Sequence, residues 1–256
     1  MSPSPVTSKF FIKSLTGLMK KTEIIFFKPY NRLTIPDLRD LFGIKSEKEI
    51  FSNELLNDIR KNKDTFDIIS FNGVNAFVSK KFFTNYLALI LERSAKNAVY
   101  KQLSIKKYTK FERDLYEAIL QQAPISRKSM MFLFGLSGKK GRKLLDEALS
   151  NLWERLWITR VGFQTDEGVV WQAVVDWDKI AIRRALKIRR EIAIKEIVLA
   201  LIRSGKVITR PQIRRLLNGV ATAEEVDKVI TALLIKKSIE IHQSIIISGK
   251  KALISI

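Results

Sequence analysis

Cysteine is missing altogether from this 256-residue chain, and histidine occurs once, at His242. The first absence excludes a disulfide, a thiolate metal site and a cysteine nucleophile, as expected of a protein kept in a reducing compartment. The second leaves no histidine pair for a metal and no Ser-His system with a spare base. His242 alternates with isoleucines in an expected strand and reads as a packing or solvent-facing residue. No Asp/Glu-x-Lys triplet occurs, so the carboxylate-lysine arrangement of restriction-type nucleases is also lacking. Long apolar runs are absent too, since none approaches the ~18 to 20 residues that cross a bilayer. The opening residues carry no apolar signal core followed by a small-residue cleavage site. These absences imply no cofactor, no metal, no catalytic residue and no membrane partner, and they lean away from an enzyme.

Acidic residues are scarce as well: 26 Asp and Glu face 46 Lys and Arg, for a formal net charge of +20. A field of that size favours a polyanionic partner such as DNA, RNA or anionic lipid, and says nothing about fold. An apolar content of 46% is enough for one large core or two to three small ones.

The middle of the chain is the most readable. In FERDLYEAILQQ, Phe111, Leu115, Ala118 and Ile119 share one helical stripe, and Pro124 stops the helix. Ser126 caps a second short helix through Met130 to Phe134, ended by Gly135. After Ser137-Gly138 a third helix buries Leu145, Leu149, Leu152 and Leu156 at three- and four-residue steps, which leaves its basic first turn, Lys139, Lys140, Arg142 and Lys143, exposed. Trp157 to Gln164 and Val169 to Trp177 are expected strands joined by a turn at 165–168. Three helices and a hairpin in this order are the layout of a winged helix, whose third helix commonly presents its first turns to a DNA major groove.

The same order recurs near the carboxyl end: Glu191 to Ser204, a helix opened by Thr209-Arg210-Pro211, Thr222 to Lys237, then strands Ile239 to Ile247 and Ala252 to Ile256. Here the third helix starts with Glu224, Glu225 and Asp227, so the cations that could touch phosphate are Arg210, Arg214 and Arg215 on the preceding helix and Lys250 and Lys251 at the hairpin tip. An amino-terminal copy is expected from helices near Lys9 to Lys20, Ile35 to Phe42 and Ser46 to Lys61, with a hairpin turned by Asn72-Gly73. The expected class is mainly α with small β hairpins (α+β), built as tandem winged-helix modules at 1–82, 108–178 and 179–256, with a helical connector at 83–107.

A basic helix from Ile182 to Lys195, including Arg183, Arg184 and Lys187, is expected to link the last two modules, along a DNA backbone, as a solvated connector or, least favoured because its apolar stripe is narrow, as a membrane-surface helix. The four tryptophans, Trp153, Trp157, Trp171 and Trp177, could wedge between bases but fit better as core. Asp166 and Glu167 at the middle hairpin tip disfavour its entry into a minor groove. Gly135 to Lys139 lacks the spacing and preceding strand of a phosphate loop. Asp176 and Asp178 flank Trp177 on an expected strand, as a polar strand end or an acid or metal ligand.

The run LYEAILQQAPISRKSMMFLFG, with the basic third helix and VVWQAVVDW, resembles the tandem winged-helix proteins related to the AlkZ-like DNA glycosylases, mainly over residues 111–178. The resemblance implies several winged helices around a basic channel and engagement of DNA. That family's catalytic signature is two glutamines one residue apart, whereas Gln121 and Gln122 are adjacent. The leading expectation is therefore a non-enzymatic DNA-binding protein (regulator, initiator or architectural factor) acting on double-stranded DNA in a cytoplasmic, nucleoid-associated setting. The alternatives are a DNA-repair glycosylase, for which Gln121, Gln122, Gln164 and Asp176 are candidates by residue type, and a protein-interaction subunit that meets a protein partner through the C-terminal module.

Overall fold

The structure is a computed structural model that describes residues 15–29, 35–38, 41, 60, 63, 65–70, 74–94, 108–205, 208–247 and 250–255. It is mainly helical, with three small antiparallel sheets of three strands. The first sheet holds β1 (Ile24–Phe26), β2 (Thr65–Ser70) and β3 (Val74–Ser79) in the order β1-β3-β2. The second holds β4 (Ile125–Ser126), β5 (Ile158–Gln164) and β6 (Gly168–Ala173) in the order β4-β6-β5. The third holds β7 (Ile208–Thr209), β8 (Ile239–Ile247) and β9 (Lys250–Ser255) in the order β7-β9-β8. Each sheet thus sets the later strand of a hairpin between its partner and a short earlier strand.

Helices α1 (Lys80–Ser94), α2 (Lys110–Gln122), α3 (Arg127–Leu133) and α4 (Gly138–Glu154) are followed by a single turn, α5 (Val174–Trp177). Then come α6 (Lys179–Ala185), α7 (Arg190–Gly205), α8 (Arg210–Leu217) and α9 (Ala223–Ile235). Their starts are chemically fixed. Thr109 and Glu112 form a reciprocal capping box on α2, and Asn151 of α4 donates to the other Glu112 carboxylate oxygen at 2.7 Å. Burial pushes the Glu112 carboxyl up, but these hydrogen bonds outweigh it and hold the group below its ordinary value. Ser126 caps α3 as its sequence position suggests, accepting from Ser129 N at 2.9 Å. Thr222 and Glu225 box α9, while Thr209 and Gln212 box α8.

Two cores result. Leu115, Tyr116, Ile119, Leu145, Leu149, Leu152, Trp153 and Trp171 form one within the middle unit. The other is shared by the first and third sheets, because α1 and α7 bring Phe83, Leu87 and Leu89 together with Ile194, Ile197 and Leu201. Residues 83–94, the described part of the expected connector, are therefore the body of a core helix. The middle unit meets the first sheet along β2, where Trp153 Nε1 donates to Asp67 O at 3.3 Å and the Arg160 guanidinium lies 3.8 Å from the Trp153 ring centroid. Beneath this contact Arg60 Nε pairs with Asp67 Oδ2 at 2.9 Å, both side chains being buried. Burial pushes the Asp67 carboxyl up against the opposing pull of Arg60 and Arg160.

Two expected elements end differently. The strand expected to run to Trp177 stops at Ala173, and 174–177 turn into α5 because Val174 buries fully and Asp178 starts a new helix. The helix expected from Ile182 to Lys195 is two helices broken at 186–189, so its cations do not lie along one axis. In the amino-terminal part, 15–22 are helical, within the region where a first helix is expected. Of the expected helix at 35–42 the described residues are 35–38 and 41, of which 38 and 41 are helical while Asp37 bridges Phe26. The expected helix at 46–61, apart from Arg60, and the Asn72-Gly73 turn lie outside the described residues.

Candidate nucleic-acid interface

The basic end of α4 is set up by its own helix geometry. Leu145, Ala148, Leu149, Leu152 and Trp153 are buried, which commits one face to the core and leaves Lys139, Lys140, Arg142 and Lys143 exposed. No carboxylate of a described residue pairs with Lys139, Lys140 or Arg142; Lys143 Nζ sits 3.6 Å from Glu147 Oε1, a solvent-exposed pair of little strength. The turn into α4 is tight. Leu136 N donates to Met131 O at 2.8 Å, and Gly135 takes a φ of +60°, where a side chain would be strained. Gly141 is pressed against that turn, since a Cβ there would stand 3.1 Å from Leu136 Cβ. Arg127 at the start of α3 clasps Asp146 on α4 with two hydrogen bonds of 2.7 and 2.9 Å, fixing the angle between the helices.

The hairpin tip behaves differently from its sequence reading. Glu167 folds back onto the start of α3, accepting from Ser126 Oγ at 2.5 Å and Ser129 Oγ at 3.2 Å, with Lys128 Nζ at 3.6 Å. These partners, Ser126 first, hold its carboxyl below the ordinary value. One of the two tip carboxylates is thus tied down and does not simply project toward an approaching phosphate.

The other sequence candidates divide. Arg183, Arg184 and Lys187 are exposed on α6 and the turn after it. Arg214 is held by Asp227, with Nε donating to Oδ1 at 2.8 Å and a second bond from Nη2 to Oδ2. The acidic start of α9 is likewise engaged: Arg190 grips both oxygens of Glu225 at 2.6 and 3.0 Å, which keeps that carboxyl down at about 2. Arg210 is half-buried and Arg215 exposed on α8, while Lys250 and Lys251 open β9 opposite Ile247 and Ile246. Trp153, Trp157 and Trp171 are buried, in line with a core role, and Trp177 is half-buried under the ammonium of Lys63, 4.5 Å from its ring centroid.

Beside α6 lies an open cleft of about 350 Å³ lined by Val175, Asp176, Lys179, Ile182 and Arg183. Lys179 Nζ is 3.6 Å from Asp176 Oδ1. Asp178 does not face it in the same way. It is buried, caps α6 through Ile180 N and Ala181 N, and meets Lys80 Nζ at 3.1 Å. Burial raises the Asp178 carboxyl, yet Ala181, Lys80 and Ile180 together bring it below its ordinary value. Sequence reasoning missed Lys179, because a strand through Trp177 hides the helical spacing that puts it beside Asp176. Of Gln121, Gln122, Gln164 and Asp176, the three glutamines are exposed elsewhere and Asp176 lines the cleft. Among the described residues no group of three or more His, Cys, Asp or Glu could hold a metal, and no helix is long and apolar enough to cross a membrane.

Comparison with known proteins adds the family. No match was found among curated proteins. The solved structure of Streptomyces sahachiroi DNA glycosylase AlkZ aligns with 100% of this chain and 70% of its own, with a TM-score of 0.50 at 12% identity, a likeness of fold. A family described as AlkZ related matches residues 70–218, which run from the end of β2 to the end of α8 and include α4 and the cleft. By that match, over more than half its length, the chain belongs to the AlkZ-related family.

Proposed function

We propose that this protein binds duplex DNA as a set of tandem winged helices, with the first turns of α4 and the cations of α6 facing the phosphates. The observation that carries the reading is the separation on α4: a buried leucine face, and four exposed cations at its amino end. Such a helix end suits groove and phosphate contact. The family and a DNA glycosylase as structural neighbour support a nucleic-acid role in repair. The third unit is a weaker contact surface, because Arg214 is spent on Asp227 and Arg190 on Glu225. Counting Lys139, Lys140, Arg142, Lys143, Arg183, Arg184 and Lys187 as phosphate contacts, affinity should fall by roughly three to four decades between 50 and 200 mM salt. Fluorescence anisotropy with a labelled duplex across that range tests this, and a salt-independent affinity would refute it.

A second reading, removal of damaged bases, is favoured by one specific observation besides the family: Asp176 opens onto the cleft, where it could orient water at a flipped nucleotide. Single-turnover incubation with alkylated duplex, followed by scission at abasic sites, tests it. No base release with protein in excess would rule it out.

A further inference from the structure

We propose that the cleft between α5 and α6 is a lyase site for the ring-opened sugar of an abasic nucleotide, with Lys179 as nucleophile and Asp176 as base. This rests on the DNA-binding reading and goes beyond it.

The cleft brings together the three kinds of group that such chemistry needs. Lys179 supplies a primary amine with a side chain 69% exposed, so an aldehyde can reach it. Asp176, 3.6 Å away and 36% exposed, supplies a carboxylate within reach of whatever the amine binds. Arg183 stands one turn beyond Lys179, its Nε held to Lys179 O at 3.4 Å, and lines the same wall as a cation for the flanking phosphate. Val175 and Ile182 provide an apolar side for the deoxyribose carbons. At about 350 Å³ the hollow falls at the small end of the range for ligand pockets, a size that suits a sugar phosphate. The position on α5 and α6 is held from behind by Asp178, which caps α6 and anchors to Lys80 of the core helix α1.

The steps balance without an oxidant or reductant. The Lys179 ammonium gives one proton to water and the amine adds to C1′ of the open-chain aldehyde; the carbonyl oxygen, taking one proton from the amine nitrogen and one from solvent, leaves as water to give a protonated imine. Asp176 takes a proton from C2′. The electron pair of that C–H bond forms a C2′=C3′ double bond while the C3′–O bond breaks and the 3′ strand departs as a phosphate. Water then hydrolyses the imine, returning the Lys179 amine and releasing an unsaturated aldehyde on the 5′ strand.

The test uses the full chain and a labelled duplex with one abasic site made by uracil excision. Sodium cyanoborohydride should trap a covalent complex that survives denaturing electrophoresis, and peptide mapping should place the adduct on Lys179. Lys179→Arg, which keeps the charge but cannot form an imine, should lower trapping per bound duplex by more than tenfold. Asp176→Asn should leave trapping in place and slow strand scission by about tenfold or more. An adduct mapped to another amine, or undiminished trapping by Lys179→Arg, overturns the assignment. Anisotropy on the same duplex separates the two readings: binding without trapping overturns the lyase site alone, whereas no binding overturns both.

Discussion

Removing the Arg190 side chain should loosen the joint between the first and third units. Arg190 stands at the first turn of α7 with 17% of its side chain exposed, and its guanidinium serves three places at once. Nε and Nη2 hold the Glu225 carboxylate at 2.6 and 3.0 Å, Nη2 also donates to Val220 O at 2.6 Å, and Nη1 donates to Leu89 O of α1 at 3.3 Å. Hydrogen bonds to a charged group contribute about 1.5 to 3 kcal/mol each when broken singly. Here Glu225 is 32% exposed and regains water, so the losses do not add. The expected cost of Arg190→Ala is about 2 to 3 kcal/mol, a fall in Tm of about 5 to 10 °C for a chain of this size. Urea unfolding followed by tryptophan fluorescence and by far-UV circular dichroism reads it, and Arg190→Lys should recover only part of the loss. A change below about 0.5 kcal/mol in Arg190→Ala would refute the view that this side chain joins the units.

Three further outcomes follow from other contacts. The Glu225 carboxyl is lowered from 4.5 to about 2, by the Arg190 hydrogen bonds first, against the next largest effect, burial, with the Thr222 bonds and the Arg190 charge adding to the fall. A depressed carboxyl adds stability in full above 4.5 and loses it as pH falls toward about 2; after discounting for solvent screening the amount is on the order of 1 kcal/mol, and Glu225→Gln should flatten that acid limb in urea titrations. Gly141→Ala places a Cβ 3.1 Å from Leu136 Cβ and 3.2 Å from Leu136 C, backbone that cannot step aside, so the usual helix gain should turn into a loss of about 1 kcal/mol in thermal melts. Asp178→Ala removes the α6 cap and the Lys80 pair and should cost about 1 to 2 kcal/mol, with Asp178→Asn costing less because an amide oxygen still caps.

What the sequence made legible is local. The cap at Ser126, the stop at Pro124, the helix start at Thr222 and the leucine stripe of α4 all act within a turn or two, and the structure has them in those roles or places. The fold class followed from such signals. Partnerships across the fold were not legible. The acidic start of α9 reads as a surface hostile to phosphate, but Arg190 lies 35 residues from Glu225, and spacing alone cannot reveal a clasp at that separation. Glu167 reads as an exposed tip residue until its hydrogen bond to Ser126, 41 residues away, is seen. The cleft was hidden for a related reason: the apolar, β-branched run Val169 to Val175 suits a strand throughout, and only the burial of Val174 against the shared core decides that the chain turns at 174–177 and sets Lys179 beside Asp176.

The most direct test of the account compares the salt dependence of duplex binding in the native protein and in a variant carrying Lys139→Ala, Lys140→Ala, Arg142→Ala and Lys143→Ala. Each phosphate contact contributes about 0.9 to the slope of log affinity against log salt, so the variant's slope should be shallower by about three to four. Arg214→Ala, whose partner is Asp227, should change the slope by less than one. An unchanged slope in the fourfold variant would contradict the assignment of α4 to the phosphates.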